Sequence, residues 1–237
     1  MRTALATNIF PASSSDHGSE NYKEVLRFLD VSILLKQGKS KEAWESMKKF
    51  CYHTPNLVAG WCLLNKLAIR AGTWNLNHKK YVRWTLKNPD SVPMIVLVGH
   101  HCAVAGSFRL ALGSYYKGYR HMPYEPLLSL CIGITLLRMS MQKLTPNRHK
   151  VVLEAMAFLH QYARLREARA ESDYNIARAY HQLGINHFAI ASYQKVLDNR
   201  EANTELKRNA AFNLSLIYRK SGAHNIAVQL LREYVSI

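Results

Sequence analysis

Apolar residues recur along this chain with the period of a helix, in short stretches. Trp61, Leu64 and Ala68 form one stripe at i, i+3 and i+7. Ile95, Val98, Gly99 and Cys102 form another, and Ala111 with Tyr115 a third. The first two helices are expected over about 23–37 and 41–52. Gly38, Gly72 and Gly106 punctuate the stripes at intervals of 34 residues, and Pro55, Pro89 and Pro123 keep the same interval. Glycine between two short helices supplies the positive φ at which helices end.

Two kinds of punctuation in one register mean an internal repeat. A period of 34 residues is that of the tetratricopeptide unit, two antiparallel helices. Six units are expected, at about 24–57, 58–91, 92–125, 126–169, 170–207 and 208–237, behind a flexible leader over 1–22. In the fourth, the polar stretch Gln142 to Lys150 separates the helices, and an insertion of ten residues restores the phase for a second helix over about His149–Arg166. The fifth and sixth units match each other 38 residues apart: Asn175 with Asn213, Tyr180 with Tyr218, Gly184 with Gly222. The expected fold class is all-α, a solenoid of about six antiparallel helix pairs wound into a right-handed superhelix. It leaves no room for a separate catalytic domain.

Charge changes this picture more than composition does. Lys and Arg number 32 against 16 Asp and Glu, a formal net charge of +16, which calls for an acidic partner. The second and fourth units each carry +5 of it. The first helix of each unit should line a concave face. One row of that face reads Lys36, Arg70, Val104, Arg138, Gln182, Lys220, and its neighbour Ser32, Lys66, His100, Ile134, Arg178, Leu216. Lys36, Lys66, Arg70, Arg138, Arg178 and Lys220 therefore form a candidate basic groove, since like charges along one groove repel without a partner. Lys79, Lys80, Arg83 and Lys87 form a candidate outer patch, although charged residues are also the ordinary solvated face of a helix.

The stretch GHHCAV, with His100, His101 and Cys102, suggests metal ligands at first sight. Adjacent residues on a helix point about 100° apart, so these do not converge on one ion, and no metal is expected. Phosphate-binding glycine loops, HExxH and GxSxG are absent, so no catalytic residue and no cofactor are expected. Glu171 and Asp173 stand at a helix start, where a carboxylate complements the helix dipole. Cys51, Cys62, Cys102 and Cys131 form no CxxC pair and are expected as buried, reduced thiols. No run approaches 18 apolar residues, so no membrane span is expected.

Several segments go beyond generic repeat positions: VGHHCAVAGSF, ALGSYY, EPLLSLCIGITLLRMSMQK, RHKVVLEAMAFLHQYARLRE and ESDYNIARAYHQLGINHFAIASYQKVL. They resemble the tetratricopeptide subunits of TFIIIC, the RNA polymerase III transcription factor, over about Tyr22 to Ile237. The resemblance extends to the irregular insertion of the fourth unit. It implies a non-catalytic scaffold in a nuclear complex that binds internal promoters of transfer RNA genes and places TFIIIB upstream. Implied partners are the other TFIIIC subunits, with TFIIIB components as further candidates. DNA would be reached through the complex, direct contact being left open. Members of that family are several times longer, and the chain corresponds to their C-terminal array. The alternative is a cytosolic adaptor gripping acidic peptide tails. Such clamps combine Lys, Arg and Asn, and no groove-facing asparagine accompanies Lys36, Lys66 and Arg70. A third reading, an enzyme, would need activity that tracks His100–Cys102.

Overall fold

The computed structural model describes residues 17–54, 57–73 and 78–235, and all regular structure among them is helical. In chain order the helices are α1 (His17–Lys36), α2 (Ser40–His53), α3 (Val58–Arg70), α4 (His78–Lys87), α5 (Val92–Val104), α6 (Phe108–His121), α7 (Pro126–Ser140), α8 (Arg148–Leu165), α9 (Arg169–Gln182), α10 (Asn186–Asp198), α11 (Thr204–Lys220) and α12 (His224–Tyr234). Two compact units divide the chain, Met1–Leu97 and Val98–Ile237, the division falling inside α5.

Helix α1 starts at His17, so part of the expected leader is helical. Gly18 and Ser19 are weak helix formers, but each costs about 1 kcal/mol or less, and packing of the helix beyond outweighs that. The rest of the leader lies outside the described residues.

Five turns are built alike. Gly38, Gly72, Gly106, Gly184 and Gly222 take φ between +66° and +85°. After each, the next N–H reaches back to a carbonyl five residues earlier: Lys39 to Leu34 at 2.9 Å, Ser107 to Cys102 at 2.9 Å, Ala223 to Tyr218 at 2.9 Å. This is the Schellman closure of a helix end, which needs a residue at ease in the left-handed region. The turn between α7 and α8 has no such glycine. Its left-handed residue is Asn147, φ +47°, at the end of a longer loop.

In the 1–97 unit, α2 packs against α1 and α3. Its core holds Trp44, Met47, Cys51, Trp61, Leu64, Leu67 and Tyr81. Trp84 closes on Trp61 with ring centroids 5.2 Å apart. In the 98–237 unit, α7 packs against both α6 and α8. It buries residues on several sides (Leu128, Ile132, Thr135, Leu136, Leu137), as a helix covered nearly all round must.

Two close approaches fix the phase of this unit. A Cβ on Gly99 would lie 2.5 Å from the Tyr115 ring, and one on Gly133 would lie 2.8 Å from Leu159 Cγ. The facing residue comes ten positions later in the second case, the length of the insertion read from the repeat.

All four cysteines are free. Cys51 and Cys102 are buried and Cys131 half-buried, but Cys62 is exposed, unlike the expectation. Trp61 takes the core position and Cys62 lies a step round the helix from it. Burial pushes the Cys51 and Cys131 thiols up to about 12, which makes them poor nucleophiles. Among the described residues no helix is long and apolar enough to cross a membrane.

Candidate functional site

Repeat spacing brings one side of α7, α9 and α11 to a common cleft of about 320 Å³. Ile134, Leu137 and Arg138 enter it from α7, Asn175, Arg178, His181 and Gln182 from α9, Asn213 and Lys220 from α11, and Tyr193 from α10. Asn175, Arg178 and Gln182 share one helix face at i, i+3 and i+7, and Asn213 and Lys220 share another at i and i+7. Three of the six groove cations, Arg138, Arg178 and Lys220, meet here, and among the described residues no carboxylate lines the cleft. All three are exposed.

Beneath the cations lies a set of oriented polar groups. The Asn175 amide donates to the Tyr162 hydroxyl at 3.1 Å, and that hydroxyl donates to Glu171 Oε1 at 3.0 Å. Tyr162 has one proton, and Glu171 takes it, so Asn175 must present its nitrogen to Tyr162. Its carbonyl oxygen and second N–H remain for a ligand. Arg166 holds Glu171 from the other side at 2.9 Å. Burial pushes the Tyr162 hydroxyl up to about 12, keeping it a neutral donor. Asn213 repeats the arrangement, donating to the Tyr174 hydroxyl at 3.1 Å. The Arg178 guanidinium lies 5.8 Å from the Tyr174 ring centre, a cation–π contact that orders it. Tyr193 is fully buried beside Asn213, and burial raises its hydroxyl pKa. Burial, and then the Lys220 charge, lower the His181 pKa below 6.5.

This combination suits an acidic peptide. Guanidinium and ammonium groups pair with carboxylates or phosphates. An Asn side chain that offers both a carbonyl and an N–H complements a peptide group, which carries one of each, whereas a phosphate only accepts. Asn175 and Asn213 are repeat equivalents in the sequence, and it is the packing of α9 and α11 that brings them into the groove. Their 38-residue spacing, the interval that also separates Gln182 from Lys220, was the available signal.

The other groove cations, Lys36, Lys66 and Arg70, are exposed on α1 and α3 of the 1–97 unit. Lys36 and Arg70 stand in the last turns of their helices, where the dipole favours a cation by about 0.3–1 kcal/mol. Of the outer patch, Lys79 and Lys80 lie in the first turn of α4, and their side chains fall outside the described residues. Arg83 is exposed. Lys87 donates to the Tyr52 hydroxyl at 3.1 Å and sits 5.4 Å from its ring centre, a local packing role.

His100 is half-buried with Nδ1 2.8 Å from the Tyr115 hydroxyl, and burial lowers its pKa. His101 and Cys102 are buried, and burial raises the Cys102 pKa. Among the described residues no three His, Cys, Asp or Glu side chains stand close enough together to hold a metal ion.

No protein-family model matches the chain. It is 35% identical to human general transcription factor 3C polypeptide 3 over 223 residues, covering 91% of the chain and 25% of that protein. It is 34% identical to the transcription factor tau 131 kDa subunit of Saccharomyces cerevisiae over 122 residues, covering 49% of the chain and 12% of that protein. The chain thus spans about a quarter or less of the length of these relatives. Among solved structures, the crystal structure of the APC/C hetero-tetramer Cut9–Hcn1 matches with a TM-score of 0.61 at 14% identity, covering 86% of this chain and 38% of that one. That likeness concerns the fold.

Proposed function

Since the chain belongs with the tetratricopeptide subunits of TFIIIC, we propose that it is a non-catalytic scaffold in RNA polymerase III transcription initiation, working in the nucleus at transfer RNA-type promoters. Its partners in this reading are other TFIIIC subunits, with TFIIIB components as a further contact and DNA reached through the complex. The observation that carries the proposal is the 35% identity sustained over 91% of the chain. The cleft between α7, α9 and α11 supplies the chemistry. An acidic, extended segment of a partner lays its carboxylates on Arg138, Arg178 and Lys220 and its backbone amides on Asn175 and Asn213.

One observation also favours the adaptor reading: the asparagines that were wanting beside Lys36, Lys66 and Arg70 are present in this cleft. The two readings share a ligand chemistry and differ in partner and compartment. Affinity purification of the tagged chain from nuclear extract, with mass spectrometry of what accompanies it, separates them. Recovery of other TFIIIC subunits is the expected result. Recovery of cytosolic chaperones alone would overturn the TFIIIC assignment in favour of the adaptor.

A further inference from the structure

We propose that a second surface of the 98–237 unit, an apolar groove between the start of α6 and the α7–α8 loop, is a docking site for an acidic amphipathic helix of a partner protein. The groove holds about 550 Å³; Phe108, Leu110, Met139, Leu144 and Val151 make its lining mainly apolar, and Arg109 and Gln142 are among its polar members. Leu144 is 93% exposed and Leu110 66% exposed.

The loop that presents Leu144 is tied down. Thr145 Oγ1 donates to the Met139 carbonyl at 2.5 Å. The Thr145 N–H and the Arg148 guanidinium both donate to the Gln142 carbonyl, at 3.3 and 3.2 Å. A leucine held in water on an ordered loop is an anchor whose ordering cost has already been met before a partner arrives.

Charge identifies the partner. Arg109 lines the groove, and Lys143 and Arg148 flank Leu144 in the chain, all exposed. Between Asp90 and Glu154 the chain carries a single carboxylate, Glu125. An apolar floor with a basic rim complements leucines bordered by Glu or Asp. The secondary structure of the occupant follows from its backbone. Among the described residues no strand offers a free edge. An extended peptide would therefore press unpaired amides against leucine and valine, whereas a helix pairs its own. Nucleic acid has no use for the apolar floor. This proposal stands on the groove alone and does not rest on the TFIIIC reading.

The test uses the full chain and a fluorescein-labelled helix with leucines at i, i+3, i+4 and i+7 and Glu and Ala elsewhere. A control helix carries Lys for every Glu. Anisotropy should report binding of the acidic helix only. The double variant L110S/L144S should weaken it at least about tenfold while its melting temperature stays at the wild-type value, because both leucines are already in water. The cleft variant R138E/R178E should bind it as wild type does. Absence of binding, equal binding of the Lys helix, or indifference to L110S/L144S would overturn the proposal. So would a dimer in sedimentation that L110S/L144S dissociates, since the groove would then be covered by a second copy of the chain.

Discussion

Helix α7 serves two surfaces of the 98–237 unit. On one side Ile134 and Arg138 face the cleft with α9 and α11, and on another Met139 faces the apolar groove beside the α7–α8 loop. Both surfaces are basic, so net charge does not distinguish them. What distinguishes them is whether an incoming backbone finds hydrogen-bonding partners. The cleft offers Asn175 and Asn213, each oriented by a tyrosine hydroxyl, and suits an extended chain. The groove offers mainly leucine, methionine and valine, and in the proposal takes a segment that arrives with its amides already paired. In the two proposals surplus positive charge would draw acidic partners to both, while the polar or apolar floor would select their conformation.

The largest effect should come from charge reversal in the cleft. R138E/R178E is expected to weaken an acidic peptide by about a hundredfold or more, with the melting temperature little changed, since both side chains are exposed. Fluorescence anisotropy checks the first part and calorimetry the second. An unaltered affinity would remove the cleft from the comparison.

A change to the shared helix should disturb both surfaces at once. In Gly133→Ala the new Cβ meets Leu159 Cγ at 2.8 Å and the Ala155 carbonyl oxygen at 3.1 Å. Backbone cannot yield as a side-chain end can, so a loss of about 1–3 kcal/mol in urea unfolding is expected. Loss of affinity in only one of the two peptide assays would show that the surfaces do not share α7 as their support.

Replacing both Asn175 and Asn213 by Ala should cost an acidic peptide about tenfold. The slope of affinity against salt should stay as in wild type, because no charge is removed. R138E/R178E should flatten that slope. Equal flattening in the two variants would mean that the asparagines act by holding the cations in place.

The smallest effect is a pH dependence confined to the cleft. Burial and Lys220 keep His181 below its ordinary value, so it is neutral at pH 7 in the free protein. An acidic ligand favours the imidazolium and raises that pKa. The complex then binds more protons than the free protein, and affinity must rise as pH falls. Between pH 8 and 6 an increase of about threefold is expected, absent in His181→Gln. Helix binding at the groove should be the same in His181→Gln as in wild type at each pH, and a difference would mean that His181 acts on both surfaces.

Much of the architecture was legible in one dimension. The 34-residue spacing of Gly38, Gly72 and Gly106 located turns whose backbone requires positive φ, because that requirement is local. The ten-residue insertion was legible as a phase slip and appears in the wider sequence separation of the second close approach, Gly133 to Leu159, than of the first, Gly99 to Tyr115. The helical stripe of Ala111 and Tyr115 also marked a tyrosine that packing buries. The start of α1 was not legible. Ser and Gly near the N-terminus read as loop by propensity, and packing further along overrode them.

The candidate sites divide the same way. Periodicity put Arg138, Arg178 and Lys220 in neighbouring rows, and three helices do bring them to one cleft. Which polar groups accompany them depended on hydrogen bonds between residues such as Asn213 and Tyr174, 39 positions apart, which no local pattern encodes. Lys87 read as part of an open charged face, but Tyr52, 35 positions earlier, gives it a partner. The groove was invisible in sequence because Leu110 and Leu144 look like ordinary core residues there. Only packing decides which leucines are covered, and the α7–α8 loop leaves these two in water. The sequence by itself determined the repeat, its turns and the sign of its charge, since these depend on backbone geometry and composition. The tertiary structure decided which polar groups converge and which apolar ones stay bare, since both depend on neighbours distant along the chain.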